Sequence, residues 1–197
     1  MNAFILAGGQ STRMGRDKAL LEVDGETLVE RALGLLRGLG LAPRICGSRL
    51  DLAHFADVVP DNFPLCGPLG GIEAALAVSD TELNLFVPVD LPGLPGDFLR
   101  WLMARAETGQ AVATIPKYGG RLQPLCAVYR PQFADAAENS LRSGHYKIDA
   151  LFAAPHTRIV AEKELESAGF SSSMFRNLNT PGELEAVRNE SGGGRNN

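Results

Sequence analysis

The sequence has no apolar run approaching the roughly 20 residues that a bilayer demands, which argues against a membrane-spanning helix. It has no basic excess: 19 Lys+Arg against 23 Asp+Glu leave a net charge of −4, so no basic field invites a nucleic acid or an anionic membrane. The three cysteines, Cys46, Cys66 and Cys126, are odd in number and show no CxxC spacing. That pattern speaks against a disulfide scaffold or a zinc site and for a reduced, cytoplasmic protein. The opening MNAFILAGG lacks a basic n-region and reaches glycine too soon to read as a signal peptide. Neither the Walker A pattern GxxxxGK[ST] nor the fingerprint GxGxxG is present, which sets aside P-loop NTPases and nicotinamide dehydrogenases. There is no internal repeat and no long coiled-coil pattern, so a monomer is expected. His54, His145 and His156 lie far apart and none adjoins a candidate nucleophile; surface or helix-end positions suit them.

What is present is an ordinary globular composition, 45% apolar and 21% charged over 197 residues, enough for one domain with a sizeable core. The expected domain covers 1–190, and the glycine-rich tail 191–197, with nothing to bury, is expected to be disordered. Short apolar runs alternate with amphipathic stretches. Phe4-Ile5-Leu6-Ala7 reads as a first buried strand ending in glycine. From Thr27, Leu28, Val29, Ala32, Leu33, Leu35, Leu36 and Leu39 recur at helical spacing, with Gly38, Gly40 and Pro43 as the stop. Arg44–Cys46 and Ala56–Val59 read as short strands around a polar turn, and Ile72 to Val78 as a helix opening after two glycines. The run from Leu83 to Val89 is a strand that stops at Asp90. A helix from about Asp97 to Ala106 follows, then strands near Ala111–Ile115 and Pro124–Tyr129. A helix opened by Pro131, a strand at Thr157–Ala161 and a last helix from Pro181 complete the pattern. Trp101 falls at core spacing within its helix. Strands alternating with helices imply crossover connections, hence a Rossmann-like three-layer α/β/α sandwich with a mainly parallel sheet. In such a fold a ligand sits beyond the carboxyl ends of the strands, where Gly8, Asp61 and Asp90 all fall.

Residues 6–18 read LAGGQSTRMGRDK. Gly8 and Gly9 let backbone N–H groups approach a ligand, Ser11 and Thr12 add hydroxyls, and Arg13, Arg16 and Lys18 add positive charge. A polyphosphate asks for this combination; a glycine turn with solvated charges is the plainer alternative. Asp90, at the mouth of a buried strand, suits Mg²⁺ through oxygen, or else caps a turn before Pro92. Asp61 in Pro60-Asp61-Asn62 is by itself good turn chemistry. Gly67-Pro68-Leu69-Gly70-Gly71 is either a tight strand-to-helix turn or a helix start that faces an anion. Asn177 and Asn179 share a face if their stretch is extended, or serve as turn and capping residues beside Thr180. Gln123 is an acceptor-site amide or a strand-edge residue, and Arg121 and Lys147 are anion contacts or solvated surface.

LAGGQSTRMGRDKALL closely resembles the nucleotide-binding signature of the nucleotidyltransferases, in particular that of the molybdenum cofactor guanylyltransferase family. The similarity continues through PDNFPLCGPLGGI (60–72), FVPVDLPGLP (86–95), QPLCAVY (123–129) and NLNTP (177–181). The resemblance implies transfer of GMP from GTP to the terminal phosphate of molybdopterin, with release of pyrophosphate. It implies nucleotide contacts from Leu6, Ala7, Gly8, Gly9, Lys18, Asp61 and Asp90, catalysis by Arg13, Lys18 and Asp90, and Mg²⁺ on Asp90. It also implies Gln123, Asn177 and Asn179 on the acceptor side, and molybdenum-insertion and molybdoenzyme-maturation proteins as partners. The sequence departs from the family at Gly47-Ser48, where well-known members carry an asparagine that helps bind the nucleotide. LAGG rather than LAAG favours guanine over cytosine. A cytidylyltransferase for the same pterin, a sugar-phosphate nucleotidyltransferase and a non-catalytic nucleotide-binding module are the alternatives.

Overall fold

The computed structural model describes residues 1–8, 17–153 and 156–176. Its centre is β1 (Asn2–Leu6), whose alternate side chains enter two different cores. Ala3 and Ile5 face α1 (Leu28–Arg37) and α3 (Gly96–Glu107), while Phe4 and Leu6 face α2 (Pro68–Ala77) and α4 (Phe133–Arg142). A strand covered on both faces must be apolar throughout, which is why its sequence does not alternate. Parallel to β1 run β4 (Pro43–Cys46) on one side and β6 (Asn84–Pro88) on the other, with β5 (Val58–Val59) beyond β4. On the far side of β6 come β9 (Ala127–Tyr129), antiparallel to both neighbours, then β7 (Ala113–Tyr118) and β10 (Thr157–Val160). The sheet order is therefore β10-β7-β9-β6-β1-β4-β5, mainly parallel, within three layers as expected. The ring of Phe4 stacks on Phe86 at 5.1 Å and Tyr129 meets Phe86 edge-on at 5.5 Å, so aromatic packing joins the parallel strands to the reversed one.

Local chemistry sets the element ends. Thr27 caps α1 by accepting from the Glu30 N–H at 3.3 Å, and the Glu30 carboxylate accepts in return from the Thr27 N–H at 2.9 Å. Asp24 and Gly25, both at positive φ, turn the small hairpin of β2 (Glu22–Val23) and β3 (Glu26–Thr27), which the periodicity did not announce. A second unannounced ribbon pairs the end of β7 with β8 (Arg121–Leu122), and α5 (Glu162–Ser167) was likewise not expected. The fourth helix begins at Phe133, after Pro131 and Gln132. The second helix begins at Pro68, before its two glycines rather than after them. A Cβ on Gly70 would sit 2.9 Å from the Phe63 carbonyl oxygen, so this glycine lets helix and preceding loop touch. Among the described residues no helix is long and apolar enough to cross a membrane. The helix expected from Pro181 and the tail 191–197 lie outside the described residues.

Candidate active site

Because the chain leaves β1 first toward β4 and β5 and then returns to β6 on the opposite side, a crevice opens at the carboxyl ends of these strands. A cavity of about 180 Å³ fills it, with Gly8, Lys18, Gly47, Asp61, Gly71 and Asp90 among its walls. Leu6 and Ala7 line it too, so every described residue that the sequence assigned to the nucleotide borders one space. Gly9, Arg13, Asn177 and Asn179 lie outside the described residues. Gln123 does not line the cavity; its N–H donates to the Pro116 carbonyl at 2.8 Å, and it is Leu125, two residues on, that reaches the wall. Arg121, Lys147 and all three histidines are exposed, and Trp101 is half-buried against Phe170.

Lys18 and Asp90 meet here across 72 residues of sequence. The ammonium Nζ stands 3.3 Å from Asp90 Oδ2, both side chains about one-fifth exposed. Lys18 opens a single 3₁₀ turn (Lys18–Leu20) that Asp17 caps by accepting from the Ala19 N–H at 3.0 Å. Asp90 follows directly on β6 and Val89, whose N–H donates to the Leu6 carbonyl at 3.2 Å. The register of β1 and β6 thus sets Asp90 beside the end of β1, and the turn capped by Asp17 brings Lys18 to it.

Asp61 is the electrostatic anomaly. Its Oδ1 is buried without a hydrogen-bond partner, and burial raises its carboxyl above the ordinary value against a bond from the Ser48 N–H, which lowers it. Beside it, Gly71 of α2 leaves just enough room, since a Cβ there would stand 3.5 Å from Asp61 Oδ1. Two residues further along α2, Glu73 is 4% exposed, its carboxyl also raised by burial and then eased by the Asn62 amide, which donates at 3.2 and 3.4 Å. An orphaned carboxylate oxygen at a cavity wall can accept from a donor group or ligate a cation. The wall offers two aspartates and Cys46, whose thiol is held protonated by burial and by the nearby Asp61, and no cluster of three or more His, Cys, Asp or Glu that could hold a metal occurs among the described residues; the ionised donors are therefore oxygens. So sparse an all-oxygen set fits Mg²⁺, which takes one or two carboxylates and completes its shell with phosphate and water, and does not fit zinc.

Gly67, Pro68 and Gly71 line the cavity, from the stretch read as either a tight turn or a helix start facing an anion. Two features went unread in the sequence. Glu73 sits within an apolar helix and carries no local signal that its carboxylate is buried against Asn62. Arg49 lies in what reads as a polar turn, yet its side chain is 15% exposed and bonds to Ala7, Asp17 and Asp51.

A cavity at a topological switch point, walled by a glycine turn, a lysine and two carboxylates, belongs to the class of nucleotide-binding α/β transferases. The model of the MobA-like NTP transferase domain matches residues 3–160, and the chain belongs to that family; it is a nucleotidyltransferase. A "Probable molybdenum cofactor guanylyltransferase" of Pelotomaculum thermopropionicum is 37% identical over 190 residues, spanning 93% of this chain and 90% of that protein. The molybdenum cofactor guanylyltransferase of Shewanella amazonensis is 32% identical over 192 residues, spanning 95% of each. Among solved structures, molybdopterin-guanine dinucleotide biosynthesis protein A from Archaeoglobus fulgidus superposes with a TM-score of 0.84 at 24% identity, covering 98% of this chain and 100% of its own. The 2-C-methyl-D-erythritol 4-phosphate cytidylyltransferase of Thermus thermophilus reaches 0.67 at 16% identity, covering 97% and 98%. The fold is therefore shared by proteins named for different bases and acceptors, and fold alone does not choose among them.

Proposed function

We propose that this enzyme transfers GMP from GTP to the terminal phosphate of molybdopterin, releasing pyrophosphate and forming the guanine dinucleotide cofactor. The observation that carries the chemistry is the convergence of Lys18, Asp61 and Asp90 on one cavity beside Gly8. The choice of GTP and pterin is supported by the relatives' names and by LAGG at 6–9. An oxygen of the acceptor phosphate attacks the α-phosphorus in line; that P–O bond forms as the α–β bridging P–O bond breaks, and pyrophosphate departs with the electron pair. A phosphomonoester with a second pKa of about 6 is already largely a dianion at neutral pH, so it attacks without a general base. Among the described residues the cavity wall carries no histidine.

Lys18 and Arg13, with the N–H groups around Gly8 and Gly9, hold the triphosphate and the leaving pyrophosphate. Asp90 would hold Mg²⁺, with Asp61 at the same cavity, and the bound ion supplies charge neutralisation between the α- and β-phosphates. Asp90 Oδ2 stands 3.3 Å from the Lys18 ammonium, so the carboxylate that would hold the ion also orients Lys18 at the edge of the phosphate site. Gln123, Asn177 and Asn179 serve the acceptor side. Most of the acceleration comes from positioning and electrostatics. Three free cysteines, two of them buried, suit a cytoplasmic enzyme, and we take it to act as a monomer. Pyrophosphate release assayed with molybdopterin, Mg²⁺ and each of the four nucleoside triphosphates is the test. Release with GTP alone supports the reading. Release with CTP alone makes the enzyme a cytidylyltransferase, and tight GTP binding without release makes it a binding module.

A further inference from the structure

We infer that Arg49 is a positioning residue for the triphosphate site: it ties Ala7 to Asp17 and thereby sets where Lys18 stands. The inference rests on the functional reading above, because the lysine it positions is the one assigned there to phosphate. The turn after β4 touches each part of the cavity in three consecutive residues. Gly47, at φ +121°, packs so closely on Gly8 that a Cβ would lie 3.4 Å from the Gly8 Cα. The Ser48 N–H donates to Asp61. Arg49 then makes five hydrogen bonds, matching its five N–H donors. Nη1 donates to the Ala7 carbonyl at 3.1 Å and to Asp17 Oδ1 at 3.2 Å, and Nη2 donates to Asp17 Oδ2. Nε and Nη2 donate to the two oxygens of Asp51 at 2.9 and 2.7 Å.

Ala7 and Asp17 are the residues that precede and follow the stretch 8–16, so a single planar group fixes both ends of the glycine-rich signature. Asp17 hands this constraint on. The oxygen that accepts from Arg49 Nη1 also accepts from the Ala19 N–H and caps the turn carrying Lys18. Without the guanidinium, Asp17 loses its bidentate partner and Lys18 loses its register toward Asp90. Lysine cannot replace it, because one ammonium cannot grip two carboxylates as a fork and reach a carbonyl as well. The Asp51 arm points away from the chemistry; that carboxylate is 55% exposed and is not part of the cavity wall. It provides an internal control.

The experiment compares Arg49→Lys, Asp17→Asn, their double variant and Asp51→Asn in the full chain, reading steady-state kinetics with Mg²⁺-GTP and amide hydrogen exchange without nucleotide. Arg49→Lys and Asp17→Asn are each expected to raise KM for the nucleotide and to lower kcat, so that kcat/KM falls about tenfold or more, because the displaced lysine serves both binding and turnover. The double variant should be no worse than either single one, as for residues in one network. Exchange at the Ala19, Leu20 and Leu21 amides should quicken about tenfold in both. Asp51→Asn should leave all three readouts within about twofold of wild type. A lowered melting temperature with unchanged KM and unchanged exchange at 19–21 overturns the inference, as does full rescue by lysine. If the wild-type chain turns over no triphosphate, the functional reading fails, and the exchange measurement still decides the role of Arg49.

Discussion

The two halves of the sheet differ in strand direction and are used differently. Strands β5, β4, β1 and β6 all run parallel, so their carboxyl ends share one edge, and Asp61, Gly47, Gly8 and Asp90 follow directly from them. On the other side β9 runs against its neighbours and its outgoing end lies at the opposite edge; that half contributes Leu125 to the cavity and otherwise a dense aromatic core around Tyr129. Parallel order concentrates polar loops, and with them a polar site that costs stability; the reversal spends its residues on packing. The cavity half holds the orphaned Asp61 oxygen and the buried Glu73 at its polar edge; the other half buries Thr114 and Arg130 away from the cavity and packs Phe133 on Phe152.

The sharpest way to break this division is Tyr129→Ala. Tyr129 is fully buried between Phe86 and Phe133, so its truncation should cost about 3–5 kcal/mol in a denaturant titration, while the folded fraction keeps its nucleotide KM. A large KM change in that variant would merge the two halves. Lys18→Ala should do the reverse: turnover at least tenfold lower, about 1.4 kcal/mol of barrier, with little change in melting temperature. Unchanged turnover would remove Lys18 from the mechanism. Thr27→Ala, which removes the cap of α1 outside the cavity, should cost about 1 kcal/mol of stability and nothing in KM.

The smallest effect concerns Asp61. An acid whose folded pKa lies above its unfolded value binds its proton more tightly when folded, so stability falls as pH rises from the ordinary carboxylate range through the raised value. Asp61→Asn should therefore melt slightly higher than wild type at neutral pH, with the gain fading below the ordinary carboxylate pKa and with weaker turnover throughout. Equal melting curves at every pH would mean that the buried oxygen is no burden.

Much of this division was legible beforehand. Helical spacing from Leu28, the unbroken apolar strands of β1 and β6, and strand ends at Gly8, Asp61 and Asp90 follow from burial periodicity, which is local. The rest depends on contacts distant in sequence. Gly70 and Gly71 read as a helix boundary because helix propensity penalises glycine, yet they lie inside α2 where the Phe63 carbonyl and Asp61 press against them. Asp61 reads as a turn residue because nothing beside it reveals that Gly71 and Ser48 enclose it. Arg49 is one more polar residue in a turn until Asp17, 32 positions earlier, folds onto it. The direction of β9 is equally invisible, since a three-residue buried strand is apolar whichever way it runs.

That reversal bears on how the chain is born. Because β9 wedges between β6 and β7, the edge of Phe86 stays unpaired during synthesis until Tyr129 has left the ribosome, some forty residues later. Nascent chains arrested before that point should sediment as aggregates or recruit chaperones, and chains arrested well beyond it should not.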